Sequence, residues 1–175
     1  RKIQQKYLPK HYPDKRVLGV LIPAAELAAM KKHKRVGVMA TAGTVKSGAY
    51  IRELTKLDPK MKIFQQACPL LVPLVEAGKQ NKKSTDKILK QYLRPLLKKN
   101  VDAVILGCTH YGLLENKIKK IVGKNTQVIS EAKIVSKKLR DYLNRHRDIK
   151  KQLGRNRAIK FYSTGQLTKF EKLGS

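Results

Sequence analysis

Short apolar runs rich in β-branched residues alternate with amphipathic segments along most of this chain. The runs predict buried strands at residues 17–22, 35–40, 62–67, 101–107, 128–129 and 159–162. Apolar residues at helical spacing predict helices around residues 24–30, 50–57, 84–97, 114–122 and 134–143. Since alternating strands and helices pair in parallel through right-handed crossovers, the order predicts an α/β fold on a parallel, Rossmann-like sheet.

Polar stretches between these elements predict turns and helix ends. A turn is expected at residues 41–44, a loop at 108–112, and a loop or frayed helix end at 147–157. The helix over 84–97 has three candidate N-caps, Ser84, Thr85 and Asp86. Pro95 within it lacks a backbone N–H and predicts a kink.

Composition narrows the class of protein. Of the 175 residues, 41% are hydrophobic, which is enough to bury a core. Two cysteines exclude a dense disulfide framework and a four-cysteine zinc site. No apolar run approaches the ~18 residues of a membrane span. With no signal-peptide pattern at the start, we expect a cytoplasmic protein that does not contact a membrane.

The chain is strongly basic. The chain has 40 lysines and arginines against 12 acidic residues, a net charge of +28. Basic pairs are spread over most helical segments, which is typical of a lysine-rich solvated surface. The alternative is weak, non-specific nucleic-acid binding driven by counterion release. Zinc-finger and aromatic RNA-binding motifs are absent from the sequence, so a dedicated nucleic-acid reader is not predicted.

Cys108-Thr109-His110 follows the strong strand pattern at 101–107. In a parallel sheet, ligands bind at the carboxyl ends of the strands, so Cys108 is expected in that crevice. Backbone N–H groups and a following helix would lower the pKa of the thiol there, and His110 could orient the sulfur or move a proton. The alternative is a small buried cysteine at the end of a strand.

Other polar residues follow neighbouring apolar runs. Thr41 and Thr44 come after the strand at 35–40, where hydroxyls and turn amides can bind a carboxylate or simply cap a helix. Glu76 follows an apolar run and could face the same site or solvent. Cys68 is flanked by apolar residues, which favours an inert, packed thiol.

Four stretches carry a resemblance to a known family. In chain order they are VMATAGTVKSGAY at 38–50, QACPLLVPLVE at 66–76, LGCTHYGLL at 106–114 and KFYSTG at 160–165. Together they resemble motifs of the glutamate racemases, within the aspartate/glutamate racemase superfamily. Gly112 stands where the family usually has proline, and Ser130 stands where it usually has aspartate.

The resemblance implies a mechanism and its residues. Family members interconvert L- and D-glutamate without a metal or other cofactor, using two cysteines on opposite faces of the substrate, and supply D-glutamate for peptidoglycan. Glutamate is the implied small-molecule partner, and a homodimer is a further expectation. The implied catalytic residues are Cys108 and His110, and the implied substrate contacts are Thr41, Thr44, Thr109 and Glu76.

One departure from the family is large. The family segments that carry the first catalytic cysteine have no match here, so we expect the C-terminal two-thirds of a racemase that is inactive alone. Residues 24–130 are expected to form the second α/β domain, and 1–23 and 131–175 to be remnants of a similar first domain. The alternatives are an aspartate or hydantoin racemase, or a non-catalytic basic polyanion-binding protein on the same fold. The Thr-His-Tyr sequence after Cys108 favours the glutamate branch.

Overall fold

Four parallel strands form a sheet in the computed structural model, which describes residues 3–154 and Tyr162. The strands are β1 (Arg35–Ala40), β2 (Lys62–Ala67), β3 (Ala103–Gly107) and β4 (Gln127–Ser130). Their spatial order is β2-β1-β3-β4, with every pairing parallel. The predicted α/β fold with a parallel sheet is confirmed.

Helices connect the strands and cover both faces of the sheet. The described α-helices are α1 (Leu8–His11), α2 (Leu21–Met30), α3 (Ala42–Ser47), α4 (Ala49–Leu57), α5 (Leu71–Glu76), α6 (Lys83–Leu97), α7 (Glu115–Val122), α8 (Glu131–Arg145) and α9 (Arg147–Gln152). A π-helical turn precedes α1 at Ile3–Tyr7, and a 3₁₀ helix precedes α7 at Thr109–Leu114. Across the described ranges, every helix falls short of the length and apolar character needed to cross a bilayer.

Two hydrophobic clusters flank the sheet. On one face, the apolar stripe of α6 (Leu89, Leu93, Leu96) packs with Leu106 of β3. On the other face, α2 and α4 pack against β1 and β3 through small and large apolar side chains. Full burial of a leucine side chain contributes roughly 1.5–3 kcal/mol, so these stripes hold the helices against the sheet.

The predicted strand at 17–22 is wrong. Residues 12–20 have no regular structure, and α2 already begins at Leu21. Pro23 lies in the first turn of that helix, where its missing N–H does not break a helical hydrogen bond. Val17, Leu18 and Val20 are between 43% and 47% exposed, because no described strand lies beside them.

Smaller corrections concern loops and caps. The expected turn at 41–44 is the start of α3, the expected loop at 108–112 is a 3₁₀ helix, and part of 147–157 is α9. Helix α6 begins at Lys83 with Lys82 as its N-cap, because the Thr85 hydroxyl donates to the Lys79 carbonyl instead of capping. The strand predicted at 159–162 and the expected first-domain segment 155–175 lie outside the described residues, except for Tyr162.

The pairing of the strands predicts an order of hydrogen exchange. Strands β1 and β3 have partners on both sides and should exchange slowest, the edge strand β2 should be intermediate, and residues 12–20 should exchange fast. Amide hydrogen exchange followed by mass spectrometry on the 175-residue chain measures this order. Equal protection of residues 12–20 and β1 would contradict it.

Candidate active site

The sheet register brings four chain segments together at one edge. Ala40 pairs with both Ala67 and Gly107, and Leu106 pairs with Ser130. Because all four strands are parallel, the residues that follow them emerge at the same edge of the sheet. These residues are Thr41, Cys68, Cys108 and Glu131.

Cys108 occupies the centre of this edge. It is extended, half-buried, and lies immediately before the 3₁₀ helix. Burial raises the pKa of its thiol, backbone N–H groups of His110 and Tyr111 oppose that rise, and the Glu131 carboxylate adds to it. The expected lowering of the pKa is therefore wrong in sign, because desolvation outweighs the two amides.

His110 links Cys108 to Glu76. Its Nδ1 lies 3.9 Å from the Cys108 sulfur, and its Nε2 lies 3.4 Å from Oε1 of Glu76 at the end of α5. Imidazole with a carboxylate on one nitrogen and a thiol on the other is an arrangement suited to moving a proton at sulfur. The structure thus brings three of the predicted site residues into one chain of contacts.

Two of the predicted threonines, Thr41 and Thr44, lie together at the start of α3, and the third, Thr109, begins the 3₁₀ helix. Thr41 caps α3: its hydroxyl accepts from the Thr44 backbone N–H at 3.3 Å and lies 3.0 Å from the Thr44 hydroxyl. Thr41 and Cys108 follow the paired residues Ala40 and Gly107, so the two sites are adjacent. Thr109 is exposed at the start of the 3₁₀ helix.

Cys68 is the inert thiol that its apolar neighbours predicted. It is fully buried, its sulfur lies 3.4 Å from the Gln66 carbonyl, and its own carbonyl accepts from the Tyr111 hydroxyl at 3.0 Å. Burial raises the pKa of Cys68 to about 12. A thiol in this position contributes to core packing and is not accessible for proton transfer.

Glu131 and Tyr50 were not among the predicted site residues. Tyr50 of α4 donates its hydroxyl hydrogen to Glu131, the first residue of α8, and both side chains are buried. Glu131 directly follows β4, just as Cys108 directly follows β3, and this position after a strand is what indicated Cys108 as a site residue. The departure from the family pattern at Ser130, followed by Glu131, is the sequence feature that could have indicated this carboxylate.

Among the residues that the structure describes, no group of three or more histidine, cysteine, aspartate or glutamate side chains could hold a metal ion. The described ionisable groups that contact Cys108 or interact with it electrostatically include His110, Glu131, Tyr50, Tyr111 and Cys68.

The fold and this edge define a class: a parallel α/β domain with a half-buried thiol, a histidine and a carboxylate at the carboxyl ends of its strands. Residues 10–138 match the family model described as Asp/Glu/Hydantoin racemase. The chain belongs to that family.

Individual relatives agree with this assignment. A glutamate racemase of Lysinibacillus sphaericus is 39% identical over 159 residues, covering 90% of this chain and 59% of the relative. A solved glutamate racemase isoform of Bacillus anthracis is 36% identical with a TM-score of 0.82, covering 97% of this chain and 64% of that one. A Francisella tularensis glutamate racemase, solved in complex with D-glutamate, is 28% identical with a TM-score of 0.82 and 97% and 62% coverage. The chain therefore spans about six-tenths of the length of these relatives.

The contrast between the two thiols gives a prediction. With iodoacetamide and the folded chain, Cys108 should be alkylated and Cys68 should stay unmodified, because Cys68 is fully buried. Peptide mass mapping distinguishes the two sites. Cys68→Ala should cost only about 1–2 kcal/mol of unfolding free energy, read from urea denaturation. Equal labelling of both cysteines in folded protein would show that Cys68 is not sealed.

Proposed function

We propose that this chain carries one half of the active site of a cofactor-independent glutamate racemase. Its substrate is glutamate, and its reaction is the inversion of the Cα carbon between the L and D forms. The observation that carries the proposal is the chain of contacts Glu76–His110–Cys108 at the carboxyl edge of the sheet. The relative from Francisella tularensis, solved with D-glutamate, supports this choice of substrate.

The reaction needs an acid and a base on opposite faces of the substrate. One sulfur, as a thiolate, takes the Cα proton, and the other, as a thiol, gives its proton to the opposite face. The two sulfurs have then exchanged protonation states, and the reverse direction uses them in the opposite order. Positioned proton transfer of this kind contributes typically 10²–10⁴-fold in rate. Cys108 is one of the two sulfurs, and His110 accepts or returns a proton beside it.

The substrate carboxylates require donors that do not carry the reacting proton. The hydroxyls of Thr41 and Thr44 and the exposed Thr109 lie on segments at this edge and can donate to a carboxylate. Glu76 acts through His110: its Oε1 lies 3.4 Å from His110 Nε2, and this contact fixes the ring orientation. These four assignments follow the family resemblance.

The second sulfur belongs to a second, similar domain of the parent protein. Cys68 is buried and cannot serve. Residues 24–130 are then the domain that holds Cys108, while 1–23 and 131–175 belong with the other domain. Apolar side chains exposed on both flanking segments support this division, since large exposed apolar patches mark surfaces that normally have partners. They include Val17, Leu18, Val20, Leu139 and Leu153.

The wider role in the cell follows from the product. D-glutamate made in the cytoplasm is a building block of peptidoglycan, so the parent enzyme contributes to cell-wall formation and cell shape. A homodimer of the parent enzyme is part of the same proposal, and analytical ultracentrifugation of the parent protein tests it.

Racemisation by the parent protein tests the proposed function. A longer version of the protein that also carries the proposed second domain should interconvert D- and L-glutamate without added pyridoxal phosphate, measured by circular dichroism of the amino acid. Cys108→Ala should abolish both directions, because either direction needs both sulfurs. The 175-residue chain alone should be silent in the same assay.

Cys68→Ala is the matched control for that experiment. It removes a cysteine from the same domain, and we expect activity in both directions to remain after correction for folded protein. Robust racemisation by Cys108→Ala would refute the assignment of Cys108. Racemisation of aspartate or a hydantoin in preference to glutamate would instead support the related family activities.

A second, weaker activity follows from the charge. Several acidic side chains are already neutralised by lysines, as in the pairs Lys138–Glu26 and Lys117–Asp86, both at 2.6 Å. The 12 acidic residues can neutralise only part of the 40 basic ones, so a large positive charge remains unpaired with acidic side chains. Lys120 and Lys124 line one groove near the amino end of β4. Cys108 lies at the other end of the strands, at the carboxyl edge of the sheet. We propose weak, sequence-independent binding of nucleic acid to this basic surface.

Salt dependence tests the nucleic-acid proposal. Fluorescence anisotropy with duplex DNA should detect binding at low salt that is lost steeply as salt rises to about 150 mM, because bound counterions are released. Lys120→Glu with Lys124→Glu should weaken binding more than the matched exposed pair Lys87→Glu with Lys90→Glu on α6. Binding that survives physiological salt or discriminates between sequences would instead favour a dedicated nucleic-acid function.

A further inference from the structure

Glu131 is a buried carboxylate that the proposed reaction does not use. Leu106 and Ser130 are the last paired residues of β3 and β4, so the next residues, Gly107 and Glu131, are neighbours at the carboxyl edge. Glu131 is only 7% exposed there. Burying a carboxylate is costly unless it is paired, so its position beside the residue that precedes Cys108 calls for a physical account.

Tyr50 holds Glu131 in this place. The Tyr50 hydroxyl donates to Oε1 of Glu131, and the Tyr50 ring lies against Gly107. A Cβ atom at Gly107 would stand 2.7 Å from Cε2 of Tyr50, so only glycine leaves room for the ring. The ring, the carboxylate and the backbone leading to Cys108 therefore form one packed unit.

The other groups around Cys108 do not supply this negative charge. Burial raises the pKa of Tyr50 and Tyr111 above its ordinary range and that of Cys68 to about 12, so all three are neutral near pH 7. His110 carries no negative charge, and Glu76 lies beyond it. Burial raises the pKa of Glu131 as well, and the hydrogen bond from Tyr50 opposes that rise.

We propose that Glu131, fixed by Tyr50, is a positioning residue that keeps the Cys108 sulfur protonated while the site is empty. Glu131 and Cys108 follow neighbouring strands at the same edge, and a carboxylate at a partly buried edge disfavours a second negative charge there. The inference rests on the proposed function, in which Cys108 is a proton-transferring sulfur. From this resting state, turnover starts in the one direction in which Cys108 is the proton donor. The reverse direction requires Cys108 to lose its proton first.

The reactivity of Cys108 tests the proposal directly. The rate of its alkylation by iodoacetamide, measured between pH 6 and 10 by mass spectrometry, follows the thiolate fraction. In the 175-residue chain, Glu131→Gln should shift this profile to lower pH and raise the rate at pH 7.5 by about threefold to tenfold. Tyr50→Phe should shift it in the same direction by less, because Glu131 then loses the hydrogen bond that favours its charge.

Glu115→Gln is the matched control. Glu115 is also 7% exposed and starts the neighbouring helix α7, but it pairs with Lys119 and Lys133 and does not act on Cys108. Its removal should leave the profile unchanged. Cys68 serves as an internal reporter of folding, since it is labelled only if the variant opens.

Two outcomes would overturn the proposal: an unchanged profile in both the Glu131 and Tyr50 variants while Cys68 stays protected, or an equal shift in Glu115→Gln. If Cys68 becomes labelled in Glu131→Gln, that variant has opened, and the profile of Tyr50→Phe alone tests the proposal. Alkylation needs neither substrate nor the second domain. A failed racemase assay with a shifted profile would therefore count against the proposed function only, and a racemase with an unshifted profile would count against Glu131 only.

Discussion

The parallel hydrogen-bonded ladder between β1 and β3 determines where every residue of the candidate site lies. Its register pairs Ala40 with Gly107, and the flanking strands extend the same alignment to Ala67 and Ser130. A slip of one residue would send the alternate side chains of a strand to the wrong face and disrupt both hydrophobic clusters. The packing of those clusters thus fixes the register, and the register fixes which loops meet at the carboxyl edge.

Two cysteines at that same edge show how position decides chemistry. Cys68 follows an edge strand but is sealed beneath Tyr111, whose hydroxyl binds its carbonyl. Cys108 follows a central strand, remains half-buried and has an imidazole nitrogen 3.9 Å from its sulfur. Both thiols have a raised pKa, but in the described part of the chain Cys108 is the one with an imidazole nearby that can carry a proton.

Local sequence pattern predicted much of this arrangement. The strands at 35–40 and 62–67 have the predicted bounds. The helix predicted at 24–30 ends at Met30 as expected but begins earlier, at Leu21. The run at 17–22 has the same composition but no described strand to pair with, and pairing is a long-range property. Sequence motifs predicted Thr41, Glu76 and His110 as site residues, and the structure places His110 between Glu76 and Cys108. Glu131 was not predicted, because its hydrogen-bond partner Tyr50 lies 81 residues away in the sequence.

The sign of the Cys108 shift could not be obtained from neighbours in sequence for the same reason. Local amides and a following helix stabilise a thiolate, and both are visible in the motif. Desolvation and the Glu131 carboxylate oppose them, and both arise from tertiary packing across β3, β4 and α4. In the proposed reaction one sulfur is a thiol while the other is a thiolate, and a carboxylate near Cys108 favours the thiol form there. Ser130-Glu131, where the family pattern has aspartate in place of the serine, puts that charge within the reach of Tyr50.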